Sequence, residues 1–113
     1  MFFLISGKTL FSQSNDSILG VWYDKDHPQK QVRFFKQHGL YSAKAYVSGD
    51  NKNMIIFKNL RWNVQTSTYN GSIVDPDNGK EYEIEVVMSN NDEFTFSVGV
   101  FIFSKTFIFK RVK

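Results

Sequence analysis

The chain of 113 residues has no cysteine. Disulfide cross-links, thiol catalysis and cysteine metal sites are therefore excluded. Proline is scarce, at two residues, and charged residues make up only 22%. With 42% hydrophobic residues, that balance argues against disorder. No apolar run reaches the ~20 residues that a membrane-spanning helix needs. Long runs of one charge are also missing. The net charge is +3 and the basic residues are interspersed with acidic ones. That pattern suits a solvated surface better than a nucleic-acid footprint. Helical periodicity, internal repeats and low-complexity segments are absent too. Aromatic residues are abundant, at 17%, with 12 phenylalanines. A chain of this length suits one domain with a modest core.

The clearest local pattern runs from Asn70 to Met88. Asp75-Pro76-Asp77-Asn78-Gly79 is dense in turn formers. Pro76 presets φ for the second position of a turn, and Gly79 or Asn78 can take the left-handed conformation that closes a hairpin loop. After the turn the chain alternates strictly. Glu81, Glu83 and Glu85 fall on one face; Tyr82, Ile84, Val86 and Met88 fall on the other. Period two marks an antiparallel strand with one wet and one buried face.

Residues 1–13 are apolar and lack acid. They resemble the tail of a secretory signal peptide, with small and polar residues near Ser12 and Gln13 where a peptidase could cut. Residues 14–17 read as a polar linker, and 18–113 as one domain. In that domain, strands are expected at 18–23, 30–37, 40–48, 60–65, on both sides of the Asp75 turn, at 93–98 and at 101–112. Asp24 to Gln29 and His38-Gly39 read as turns, and Met54 to Phe57 as a short strand or one helical turn. About eight short strands joined by turns form a meander, which removes its exposed edges by closing. The expected fold is all-β: a small, up-and-down, lipocalin-like barrel.

Several pieces also resemble a known family. They are Gly20-Val21-Trp22, Gly39-Leu40-Tyr41, Phe57-Lys58-Asn59-Leu60 before Trp62, the run Asn70 to Tyr82, and the terminal Lys110-Arg111-Val112. In this order and spacing the chain, from Gly20 onward, resembles the bacterial exported family catalogued as domain of unknown function 2147. Gly20, Trp22, Gly71, Asp75, Pro76, Gly79, Tyr82 and Arg111 carry the motif. The resemblance implies a small exported β-barrel, periplasmic or secreted, with no established activity or ligand. Three positions depart from the pattern. Ser42 stands in place of a usual glycine, Ser97-Val98-Gly99 lacks the usual arginine, and Phe109 replaces a tryptophan.

Candidate chemistry is sparse. Asp24-x-Asp26-His27 groups three potential metal ligands, but in a turn and with no second cluster to complete a site. Asp75-x-Asp77-x-Gly79 begins like a calcium loop, yet position twelve is Val86 rather than a bidentate glutamate. The row Glu81, Glu83, Glu85 lies on a wet face, not in a cleft. Arg33-Phe34-Phe35-Lys36 interleaves basic and aromatic residues as single-strand binders do, but Phe34 is better explained as core. These patterns predict no enzyme, no cofactor, no metal and no nucleic-acid partner. The remaining candidate is the aromatic set Trp22, Trp62, Tyr82, Phe94, Phe96 and Phe107, with Phe109. These rings either line a cavity for a small apolar ligand or fill a narrow barrel. Their bulk favours the filled barrel of a structural or protein-interaction domain. The Asn70–Met88 hairpin is expected to specify the fold, with any function on the barrel's interior or rim.

Overall fold

A computed structural model describes residues 15–46, 53–100 and 103–113. The expected signal remnant at 1–13 lies outside the described residues. Eight antiparallel strands form a closed up-and-down barrel: β1 (Gly20–Asp24), β2 (His27–Gln37), β3 (Leu40–Ala45), β4 (Ile55–Asn63), β5 (Thr68–Val74), β6 (Glu81–Asn90), β7 (Glu93–Val100) and β8 (Phe103–Arg111). Each strand pairs with the next. β8 returns to β1, with Trp22 opposite Arg111 and Asp24 opposite Phe109. Closure leaves no unpaired sheet edge, the physical reason a meander of this length curls.

Strand boundaries depart furthest from expectation at two places. His27, Pro28 and Gln29 belong to β2 rather than to a turn. Pro28 has no N–H to give a ladder, and it sits at the second residue of its strand. The segment from Met54 to Phe57 is not a separate element. From Ile55 it runs on into the expected strand at Leu60 as one β4. The interruption is a bulge between Lys58 and Arg61, with Asn59 at a φ of 55°. The bulge turns the Asn59 N–H out of the ladder, and Ser42 Oγ accepts it at 2.9 Å. Ser42 therefore has a local task at the position where the resemblance has glycine. Gly71 faces the same bulge. A Cβ there would lie 2.8 Å from the Asn59 carbonyl oxygen and 2.9 Å from Leu60 Cα. Only a residue without a side chain lets the two backbones approach this closely.

The turns alternate between the two ends of the barrel, and one end is sealed by the chain that precedes β1. Ile18 is fully buried under Trp22, whose Nε1 donates to the Ile18 carbonyl at 2.8 Å. The stretch expected to be a linker is, in its described part, bonded to the barrel. Tyr69 Oη donates to the Asn15 carbonyl at 2.7 Å. Arg111 donates from Nη1 to the Leu19 carbonyl at 2.8 Å and from Nη2 to the Ser17 carbonyl at 2.7 Å. Its guanidinium lies 4.3 Å from the centre of a Trp22 ring.

Asp16 adds a titratable contact to this seal. Tyr41 Oη donates to its Oδ1 at 2.6 Å, and Lys36 Nζ at 3.1 Å. The Tyr41 hydrogen bond first, then the Lys36 bond, hold the Asp16 carboxyl below the usual carboxylate value. Burial pushes the Tyr41 hydroxyl well above its ordinary value. A carboxyl with a depressed folded-state pKa adds stability above its unfolded pKa of about 3.9. That stability is lost as pH falls through the folded value. Asp16→Asn is therefore expected to unfold at lower urea than the parent protein at pH 7, with the difference closing as pH falls below the ordinary carboxylate value of about 3.9 and through the lowered folded value. Urea melts across that range test it; coincident midpoints at pH 7 would show that the contact contributes nothing.

Candidate cavity at the open end of the barrel

Among the described residues nothing covers the opposite end of the barrel, and the side chains decide why it is hollow. Following inward positions upward from the sealed end, bulk gives way to small residues on several strands. β2 passes from Phe34 to Val32, and β3 from Tyr41 through Ala43 to Ala45. β5 passes from Tyr69 past Gly71 to Ile73, and β7 from Phe94 and Phe96 to Val98. The lower half is packed solid with Trp22, Tyr41, Tyr69, Phe57 and Phe94, all fully buried. The upper half cannot be filled by its aliphatic residues. It holds a cavity of about 630 Å³. Eight-stranded barrels have an interior just wide enough for either outcome.

The cavity walls are apolar. Val32, Ala45, Ile56, Ile73 and Val98 line it with Tyr82, Phe96, Phe107 and Phe109. Phe96 and Phe107 stack at 5.0 Å between ring centres. Phe109 stacks on Phe94 at 5.1 Å, which ties the cavity floor to the solid core below. Charged groups also line it: Lys30, Lys105, Asp75 and Asp77, all but the half-buried Asp75 exposed. The Lys105 ammonium lies 4.9 Å from the centre of the Phe107 ring. Asp75 accepts the Asp77 N–H at 2.9 Å, and the Gly79 N–H bonds back to the Asp75 carbonyl at 2.8 Å. Hairpin turn chemistry thus accounts for the calcium-like spacing. Beyond the expected Tyr82, the hairpin that specifies the fold supplies residues 73 to 77 of the cavity lining.

One charged group in the lining is buried. Asp24, the last residue of β1, is only 7% exposed. It points inward beside its cross-strand partner Phe109 and lines the cavity. Its Oδ1 accepts the Asp26 N–H at 2.9 Å. Its Oδ2 lies 3.7 Å from His27 Nδ1, beyond hydrogen-bond reach.

The six aromatic residues singled out from sequence divide by height. Tyr82, Phe96 and Phe107 line the cavity. Trp22 and Phe94 lie below it, 4.8 Å apart in an edge-on contact. Trp62 packs on Tyr69 at 4.8 Å, outside the lining. Asp24, read in the sequence only as a possible metal ligand in a turn, and the small aliphatics were not expected in a cavity wall. The graded sizes along β2, β3 and β7 are the signal that could have found them.

The other sequence candidates are dispersed. Glu81, Glu83 and Glu85 are exposed on the outer face. Glu81 pairs with Lys58 at 2.9 Å, and Glu85 accepts from Thr68 Oγ1 at 2.9 Å. Among the described residues, no group of three or more His, Asp or Glu could hold a metal ion. Arg33 lies over the Tyr46 ring and Lys44 over Phe35 on the outside of the barrel, while Phe34 is core. No described helix is long and apolar enough to cross a membrane. The chain matches no family model, no curated protein and no solved structure.

Proposed function

We propose that this protein is a non-catalytic binding module that takes a small hydrophobic or envelope-derived molecule into the open end of its barrel. We assign it to the exported bacterial family whose motifs it resembles, in the periplasm or outside the cell. The motif run from Asn70 to Tyr82 and the apolar residues 1–13 support that assignment. The cavity carries the binding reading. Its volume of about 630 Å³ lies within the range of small-molecule sites, and its lining is mostly apolar with a few polar groups. A purely structural domain would need no such space, because larger inward residues at Ala45 or Val98 would have closed it.

Titration with the neutral fluorophore N-phenyl-1-naphthylamine tests the reading. Saturable one-to-one binding is expected, with a Kd on the order of micromolar. Val98→Trp places an indole at the half-buried wall position 98 and is expected to weaken binding about tenfold or more while leaving the urea midpoint close to the parent's. Unsaturable fluorescence, or binding that ignores Val98→Trp, would refute a cavity site.

A further inference from the structure

We propose that the cavity selects amphiphiles bearing a protonated amine, and that the Asp24 carboxylate makes the selection. The inference rests on the cavity being a binding site and adds the chemical class of its ligand.

Asp24 differs from every other charged group that lines the cavity. Lys30, Lys105 and Asp77 are exposed, so water screens them. Two lysines against Asp75 and Asp77 also leave those groups with no net charge. Asp24 remains as the unbalanced charge, and its side chain is only 10% exposed. A buried carboxylate is costly unless donors satisfy it. An ionised carboxylate is acceptor-only, with about four lone-pair sites. Oδ1 uses one for the Asp26 N–H. Among the described residues Oδ2 accepts no hydrogen bond, and the nearest basic atom, His27 Nδ1, stands 3.7 Å away.

The surroundings fit a cation attached to an apolar body. Phe109 lies directly across the β1–β8 ladder from Asp24, and Phe107 follows two residues away on the same inward side of β8. Aromatic faces attract ammonium groups, more so where water is excluded. An alkyl chain would occupy the aliphatic and aromatic walls while its ammonium donates to Oδ2. A carboxylate ligand would instead meet a buried like charge, which raises its cost.

Three ligands with one chain length test this: decylamine, decanol and decanoate, each displacing N-phenyl-1-naphthylamine at pH 7. Decylamine is expected to bind about tenfold or more tightly than decanol, and decanoate more weakly than decanol. Asp24→Asn keeps an oxygen for the Asp26 N–H and removes the charge. In that variant the ratio of amine to alcohol affinity is expected to fall to near one. Glu83→Gln, on the exposed outer face of β6 and away from the cavity lining, is expected to leave the ratio within about twofold of the parent. Equal affinities for amine and alcohol in the parent protein would overturn the inference while leaving the cavity reading intact. So would a preference for decanoate, or an amine preference that survives Asp24→Asn. The parent ordering decides the matter even if a variant fails to fold. Failure of all three ligands and of the fluorophore to bind would overturn the cavity reading and this inference together.

Discussion

Replacing Phe94 with alanine is expected to lower the unfolding free energy by about 3–5 kcal/mol. Phe94 is fully buried and sits where the solid half of the barrel meets the cavity. Its ring meets Trp22 edge-on at 4.8 Å, stacks on Phe109 at 5.1 Å, and contacts Phe34 and Phe57 edge-on at 5.9 Å each. The truncation removes the transfer free energy of a buried ring and leaves a hole that stiff neighbours cannot collapse into. Aromatic pairing beyond area burial adds to the loss. A domain of this size is stable by only about 5–15 kcal/mol, so the change threatens a large fraction of the total. Urea melts with a constant slope would measure it. A loss below about 1.5 kcal/mol would mean that the ring cluster is loosely packed.

Replacing Arg111 with alanine is expected to cost about 2–4 kcal/mol. Arg111 gathers three segments distant in sequence. Besides the Ser17 and Leu19 carbonyls, its Nε and Nη2 donate to the Asn91 carbonyl at 2.9 and 2.7 Å. Truncation leaves backbone acceptors of the sealed end without their charged donor and uncovers the face of Trp22. Arg111→Lys tests the geometry rather than the charge. One ammonium cannot satisfy a fork of carbonyls, so lysine is expected to recover less than half of the loss. Gly20 sits inside the same arrangement. Its φ is 123°, and a Cβ there would lie 2.8 Å from Arg111 Nη1. If alanine at 111 leaves the urea midpoint unchanged, the seal is held by Ile18 and the tyrosines alone.

Most of the barrel was legible locally. The strict alternation of Glu81 to Met88 places the glutamates outside and Ile84, Val86 and Met88 in the core. Asp75, Pro76 and Gly79 mark the hairpin, with Gly79 at a φ of 76°. Gly71, legible as a motif residue, is where β5 closes on the β4 bulge. What escaped local reading was non-local. Met54 to Phe57 looked detached from Leu60 because a bulge hides the continuity of β4. Asn15 to Ser17 looked like a linker because polar residues usually are. Here their carbonyls and the Asp16 carboxylate receive donors from Tyr69, Arg111, Tyr41 and Lys36, on strands far along the chain.

The candidate site divides the same way. Aromatic richness was visible in the composition, but height within the barrel was not. Trp22 and Tyr82 are equally aromatic, yet one is core and the other lines the cavity. Residue type and period two, both properties of neighbouring residues, determined by themselves that this chain makes an antiparallel barrel and which side chains face inward. Only the tertiary structure decided that Val32, Ala45, Ile73 and Val98 meet in the same half of the barrel, leave a cavity there and bring the Asp24 carboxylate to its wall. That outcome depends on the register between strands far apart in sequence, which no single stretch encodes.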